Sequence, residues 1–121
     1  MSCSPTEAAI LPKNQSAALV WNWGGEHYDK ISSQIADAID HCVDRLAPGK
    51  SDQVLDIATG TGWTARRIAE RGAEVNAVDI CSTALKTARR LATNHQINFQ
   101  LGNAEALPFG SSSFDAVVST L

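Results

Sequence analysis

The sequence predicts an α/β fold in which helices cover a parallel β-sheet. Strand-like and helix-like segments alternate from residue 53 to the end of the chain, an order that implies right-handed crossovers between parallel strands. A glycine-rich turn, "ATGTG" at 58–62, separates the first of these strands from the helix that follows it. The length of 121 residues suits a single domain with one core.

The N-terminal region is predicted to divide the chain into a tail and a domain. Residues 1–20 contain Ser, Pro, Asn and Gln, with small apolar residues at no clear period, and predict a flexible tail. The remaining 21–121 form the predicted domain. It opens with an aromatic, turn-like stretch that ends near Tyr28.

A first helix is predicted from Glu26 to Leu46. Its apolar residues recur at spacings of three and four, which places them on one helical face: Ile31, Ile35, Ile39, Cys42, Val43 and Leu46. Pro48 and Gly49 then end the helix.

The rest of the chain repeats a strand–helix pattern. The predicted strands are "QVLDIA", "AEVNAVDI", "INFQL" and the final "FDAVVSTL". The helix "WTARRIAERG" is predicted to close on Gly72, and "STALKTARRLATN" is predicted to begin with Ser82 as its cap. A loop rich in turn formers, "GNAEALPFGSSS", precedes the last strand.

Composition narrows the class of protein. Hydrophobic residues make up 44% and charged residues 19%, and the net charge of −3 gives no reason to expect a nucleic acid or an anionic membrane as partner. No stretch is long and apolar enough for a membrane span, and the start does not resemble a secretory signal, so a cytoplasmic protein is expected. The dispersed cysteines and histidines indicate neither a disulfide framework nor a metal site.

The turn after the first strand predicts a nucleotide site. Glycine at 60 and 62 allows positive φ and lets a ligand approach the backbone closely. Together with Ala65 these glycines meet the loose dinucleotide-binding pattern, which by itself is weak. Asp79 ends the second strand 19 residues after Gly60, close to the spacing of about 20 at which a ribose-binding acid is found.

Asp56 indicates which nucleotide is bound. It lies just before the turn, where its negative charge would repel a pyrophosphate. The same charge would attract a ligand that carries an ammonium and a sulfonium group. S-adenosylmethionine (SAM) has both of these groups, an adenosine for Asp79, and no phosphate.

On these residues the chain resembles the class I SAM-dependent methyltransferases, close to the ubiquinone and menaquinone biosynthesis type. The resemblance is carried by four ordered motifs within residues 26–121: "VLDIATGTGW", "AVDI", "GNAEALPF" and "SFDAVVSTL". It implies a Rossmann-like, doubly wound parallel sheet with flanking helices. About four strands in the order 3-2-1-4, the N-terminal half of that fold, would be present.

The resemblance also implies a set of cofactor-binding residues. The methionine part of SAM would contact Asp56, Ala58, Gly60 and Gly62, with Ser119 or Thr120 nearby. Asp79 would bind the ribose hydroxyls and Ile80 would pack on the adenine. Asn103, where the family often has aspartate, would accept from the adenine amino group, and Ala104 would offer its backbone N–H to the ring. No general base is identified.

The expected function is methylation of a small molecule. Because the chain ends after the fourth strand, we expect a truncated, cofactor-binding half whose own activity is open. The edge strand with Val117 and Val118 is then exposed and available for pairing. Two alternatives stay open: a fragment of an NAD-binding oxidoreductase, and a non-catalytic interaction protein that uses this edge.

Overall fold

The computed structural model describes residues 10–24, 30, 33–93 and 95–120. Within them the strands are β1 (Gln53–Ile57), β2 (Glu74–Asp79), β3 (Ile97–Leu101) and β4 (Ala116–Val118). The helices are α1 (Gln15–Gly24), α2 (Ala36–Leu46), α3 (Trp63–Ala69) and α4 (Ser82–Leu91), and a 3-10 turn at Pro12–Asn14 precedes α1.

The strands form a parallel sheet in the order β3-β2-β1-β4. Asp56 pairs with Ala77 of β2 and with Val118 of β4, while Asp79 pairs with Leu101 of β3. The predicted Rossmann-like order is thereby confirmed. Because the strands are parallel, their carboxyl ends lie at one edge of the sheet, where ligands bind in open α/β folds.

The core consists of apolar residues of the strands and of the helices that cover them. Val54 and Ala77 in the sheet, and Ile68 and Ala88 in α3 and α4, are fully buried. α3 contacts β1, β2, β3 and α2, and α4 contacts β2 and β3. This packing holds the carboxyl ends of β1 and β2 in place relative to each other.

Glycines set both ends of α3. Gly62 precedes the helix at φ 86°, and a Cβ there would lie 3.2 Å from the Arg66 guanidinium and from the Phe99 ring. Gly72 follows the helix at φ 89°, as predicted for its closing residue. Both positions lie in the left-handed region that favours glycine. Gly62 is therefore required by the backbone and by packing.

The cap of α4 differs from the predicted one by one residue. Cys81 is the N-cap, and its sulfur accepts from the Ala84 N–H at 3.4 Å. Ser82 is instead the first helical residue, and its hydroxyl donates to Asn22 Oδ1 at 3.0 Å. Asn22 Oδ1 also accepts from the Thr83 N–H at 3.1 Å. A side chain of α1 thus takes part in capping α4, which the local sequence of α4 could not show.

The N-terminal region is more ordered than its composition predicts. The predicted tail at 1–20 includes the 3-10 turn and the first part of α1, and α1 continues across the predicted boundary at residue 20. Ile10 and Ala18 are buried in the core, which supplies the apolar contact that holds this region. Residues 1–9 lie outside the described residues.

The described structure contains a helix within the segment predicted to be helical from Glu26 to Leu46. α2 covers Ala36–Leu46 and buries Ile39 and Val43, two residues of the predicted apolar face. Ile31 and Tyr28 lie outside the described residues. No helix in the described part of the chain has the length and apolar character needed to cross a membrane.

Candidate functional site

A cavity of about 480 Å³ lies at the carboxyl edge of the sheet. Its volume is in the range of small-molecule sites, roughly 300–1,000 Å³. The loops that follow β1, β2 and β3 form most of its wall, and Asn14 and Trp21 are contributed by the N-terminal region. The other lining residues are Ile57, Ala58, Thr59, Gly60, Val78, Asp79, Ile80, Cys81, Ala84, Gly102, Asn103, Ala104, Glu105 and Thr120.

Asp79, the last residue of β2, is held at this wall by backbone donors. Its Oδ2 accepts from the Gly60 N–H and its Oδ1 from the Cys81 N–H, both at 2.8 Å. Burial raises the pKa of this carboxyl, while the N–H groups of Gly60, Cys81 and Ile80 lower it. A carboxylate has about four acceptor positions. The three N–H groups therefore do not use all of them, and the side chain can still accept from a ligand hydroxyl.

The turn after β1 curves over the same cavity. Ala58 and Gly60 have φ angles of 60° and 58°, and the Thr59 N–H donates to the Val78 carbonyl at 3.0 Å. A Cβ on Gly60 would meet no heavy atom within 4 Å. The turn is thus tied to β2 while leaving open space beside Gly60.

Asp56 lies beneath this turn and is not among the residues that line the cavity. Its side chain is fully buried, and Thr59 Oγ1 donates to its Oδ2 at 2.7 Å. No described residue forms a hydrogen bond with its Oδ1. Burial raises the pKa of Asp56 to about 7; the Thr59 hydroxyl opposes the shift and the nearby Asp79 charge adds to it.

Gly62 is the second predicted residue that does not line the cavity. Its position is explained by the start of α3 and by the Arg66 and Phe99 side chains, which a Cβ at this position would approach too closely. The structure brings the other six predicted residues together at the cavity wall: Ala58, Gly60, Asp79, Ile80, Asn103 and Ala104.

Asn103 is 2% exposed and is already engaged by the N-terminal region. Its Oδ1 accepts from Asn14 Nδ2 at 3.0 Å and from the Leu11 N–H at 3.4 Å. Next to it, Glu105 Oε2 forms an ion pair with Lys13 Nζ at 2.7 Å. The loop after β3 is therefore joined to the 3-10 turn and to the residue before it.

Asn14, Trp21 and Thr59 are lining residues that the sequence analysis did not select. Pro12 at the start of the 3-10 turn is a recognised helix-start signal, but it stands among polar residues that predicted a tail. After β4, Thr120 lines the cavity, with its hydroxyl 2.6 Å from that of Thr64. The Ser119 hydroxyl donates instead to the Ile57 carbonyl at 2.9 Å.

Metal-ligating groups do not cluster in the part of the chain that the structure describes: no three His, Cys, Asp or Glu side chains there could share an ion. Cys42 is exposed, and Cys81 is buried with a free thiol. Cys3 lies outside the described residues.

Comparison with known proteins explains this arrangement. A family model described as a methyltransferase domain matches residues 54–121, which include β1 to β4 and the loops that line the cavity. The chain belongs to the methyltransferase domain family. This methyltransferase domain has the Rossmann-like sheet order expected of the class I, SAM-dependent enzymes. It also has the acid that these enzymes are expected to have at the end of β2.

Individual relatives support the assignment. A demethylmenaquinone methyltransferase of Clavibacter sepedonicus is 40% identical over 73 residues, which cover 60% of this chain and 30% of that enzyme. The phosphoethanolamine N-methyltransferase 2 of Haemonchus contortus, solved in complex with S-adenosyl-L-methionine, is 27% identical with a TM-score of 0.63. The match covers 69% of this chain and 20% of that one.

A third comparison bears on the fold alone. A chain in the complex of the Haloferax volcanii Trm112 methyltransferase activator with a methyltransferase is 21% identical, with a TM-score of 0.74. The match covers 98% of this chain and 48% of that one. The methyltransferase domain spans less than a third of the length of the curated relatives it matches.

Proposed function

We propose that this methyltransferase domain binds SAM in the cavity at the carboxyl edge of the sheet and serves methyl transfer to a small molecule. The observation that carries the proposal is Asp79, fixed at the cavity wall between the Gly60 and Cys81 N–H groups. A charged acceptor held in this way suits the vicinal hydroxyls of a ribose, since hydrogen bonds to an ionised group are stronger than neutral ones.

The two ends of the cavity suit the two ends of SAM. Ala58 and Gly60 lie in the turn after β1 and Thr120 follows β4, and the open space beside Gly60 admits the methionine part. Ile80, Asn103 and Ala104 follow β2 and β3 and suit the adenine. Asp56 acts here from beneath the turn: it holds Thr59, and in its ionised form, which predominates above its pKa of about 7, its charge favours an ammonium and sulfonium ligand over a diphosphate.

The contribution of these residues to methyl transfer is binding and orientation. When bound, SAM supplies the electrophilic methyl group. The chain holds the adenosine at Asp79 and Ile80, which directs the sulfonium end along the turn toward Thr120. Fixing one reactant in the correct geometry removes a large part of the barrier of a two-reactant step. The demethylmenaquinone methyltransferases among the relatives support a small-molecule acceptor.

An exposed edge of the sheet supports a second interaction. β4 pairs on one side with β1, and its Val117 is 55% exposed. Such an edge strand can pair with a further strand. We propose that β4 is the surface through which this domain pairs with additional polypeptide.

Calorimetric titration with S-adenosylhomocysteine and, separately, with NAD⁺ tests the proposed cofactor. Above pH 7, where Asp56 is mostly ionised, we expect S-adenosylhomocysteine to bind at one site per chain and NAD⁺ to show no heat of binding, because its diphosphate would lie near the Asp56 and Asp79 carboxylates. Circular dichroism confirms that the protein is folded. Binding of NAD⁺ but not of S-adenosylhomocysteine would favour the oxidoreductase alternative.

A further inference from the structure

We propose that the side-chain carbonyl of Asn14, rather than that of Asn103, accepts the hydrogen bond from the adenine amino group. Asn14 would then be the residue that selects adenine over a 6-oxopurine. The inference rests on the proposed function, because it assumes that an adenosyl ligand occupies the cavity.

The first step is that the Asn103 oxygen is already committed. Asn103 is 2% exposed, and its Oδ1 accepts from both the Leu11 N–H and Asn14 Nδ2. An amide oxygen has two lone pairs. A third donor from a ligand would have to displace one of these partners.

The second step is the orientation of the Asn14 amide. The group that faces Asn103 Oδ1 at 3.0 Å also lies 3.5 Å from Glu105 Oε2. Both of these atoms are acceptors, so the group facing them must be the NH₂. Its two hydrogens are then directed at Asn103 and Glu105, and the carbonyl oxygen is the part of the Asn14 amide left for a ligand. Asn14 itself lines the cavity, beside Asn103, Ala104 and Glu105.

The third step is that Asn14 is held in place. The Asn14 N–H donates to the Leu11 carbonyl at 2.8 Å, and the neighbouring Lys13 pairs with Glu105. Farther along α1, Asn22 is bound to Ser82 and Thr83 at the start of α4. The segment from Leu11 to Asn22 is thus attached at one end to the loop after β3 and at the other end to the start of α4. An acceptor that is already ordered needs little further ordering when the ligand binds.

The chemistry of the purine makes the proposal specific. Adenine carries an amino donor at position 6, whereas hypoxanthine carries a carbonyl there. Facing the Asn14 oxygen, the amino group forms a hydrogen bond and the carbonyl is repelled. Sites that recognise a polar group in this way discriminate strongly against analogues that lack it.

The test compares binding of S-adenosylhomocysteine and S-inosylhomocysteine to the full chain and to Asn14→Ala. We expect the wild-type chain to prefer the adenosyl ligand by about tenfold or more, and Asn14→Ala to lose most of that preference. Asn98→Ala is the matched control, since it removes an exposed side-chain amide on β3 that donates to Asn76 Oδ1 and does not line the cavity, and it should leave the preference intact. If Asn14 had only a structural role, its loss would weaken both ligands equally and leave the ratio of their affinities unchanged.

The outcomes separate this inference from the proposed function. If the folded wild-type chain binds neither ligand, the proposed function fails. A preference that survives in Asn14→Ala, or equal weakening of both ligands in that variant, overturns the role of Asn14 while the cofactor site stands. A folded Asn14→Ala chain that binds neither ligand also overturns it, because the Asp79 contacts alone should retain measurable affinity.

Discussion

Replacing Asp79 with alanine is expected to weaken the binding of S-adenosylhomocysteine by about 10- to 150-fold, which corresponds to a loss of roughly 1.5–3 kcal/mol for hydrogen bonds to a charged group. The carboxylate is the group proposed to accept from the ribose, and it also holds the Gly60 and Cys81 N–H groups at the cavity wall. Titration calorimetry on both proteins measures the ratio of dissociation constants.

Asp115→Ala provides a matched control for this variant. Its carboxylate also accepts from a backbone N–H, that of Gln53 at 2.7 Å, but at the opposite end of β1. It should leave binding unchanged. A 2′-deoxyribose analogue of the ligand separates ribose contact from loss of loop structure, because Asp79→Ala should weaken that analogue less than the parent. Unchanged affinity in folded Asp79→Ala would rule out this role.

The second large effect concerns stability and pH. Asp56 has a pKa of about 7 in the folded chain against an ordinary value of 3.8. Between these values the unfolded chain releases the proton and the folded chain keeps it, so the free energy of unfolding falls as pH rises. From pH 5 to pH 8 the wild-type chain should lose on the order of 2 kcal/mol through this group. Urea unfolding at several pH values measures the slope.

Asp56→Asn is the diagnostic variant for this effect. Its amide oxygen can still accept from Thr59, and it cannot ionise, so its stability should change less with pH over the same range. The raised pKa of Asp79 acts in the same direction in both proteins, and the difference between the two profiles therefore reports mainly on Asp56. Asp37→Asn, on the exposed side of α2, controls for loss of a surface carboxylate. Parallel profiles for wild type and Asp56→Asn would contradict the raised pKa of the buried Asp56 carboxyl.

The sheet and the position of Asp79 could be predicted from local sequence, and the reason is physical. Parallel strands joined by helices can be arranged in few ways, and a residue that ends β2 must lie near the turn after β1. Gly60 and Asp79 are 19 residues apart in the sequence, and in the structure the Gly60 N–H donates to Asp79 Oδ2 at 2.8 Å. The position of Gly72 after α3 was similarly predictable, because the left-handed backbone conformation that often follows a helix favours glycine.

Long-range contacts account for what sequence reasoning missed. The helical N-terminal region is stabilised by contacts with Asn103, Glu105 and the start of α4, all about 60 to 90 residues away in sequence. No local pattern encodes such contacts. The depth of Asp56 was missed for a related reason: a strand pattern shows alternation, but it does not show which side of the following turn a carboxylate will occupy.

The most direct test of the cofactor assignment is a crystal structure of the chain grown with S-adenosylhomocysteine. We expect the ligand in the cavity at the carboxyl edge of the sheet, with both ribose hydroxyls within hydrogen-bond distance of Asp79, the sulfur beside Ala58 and Gly60, and the adenine beside Ile80 and Ala104. An adenosyl group bound elsewhere, or in this cavity with its ribose away from Asp79, would contradict the assignment.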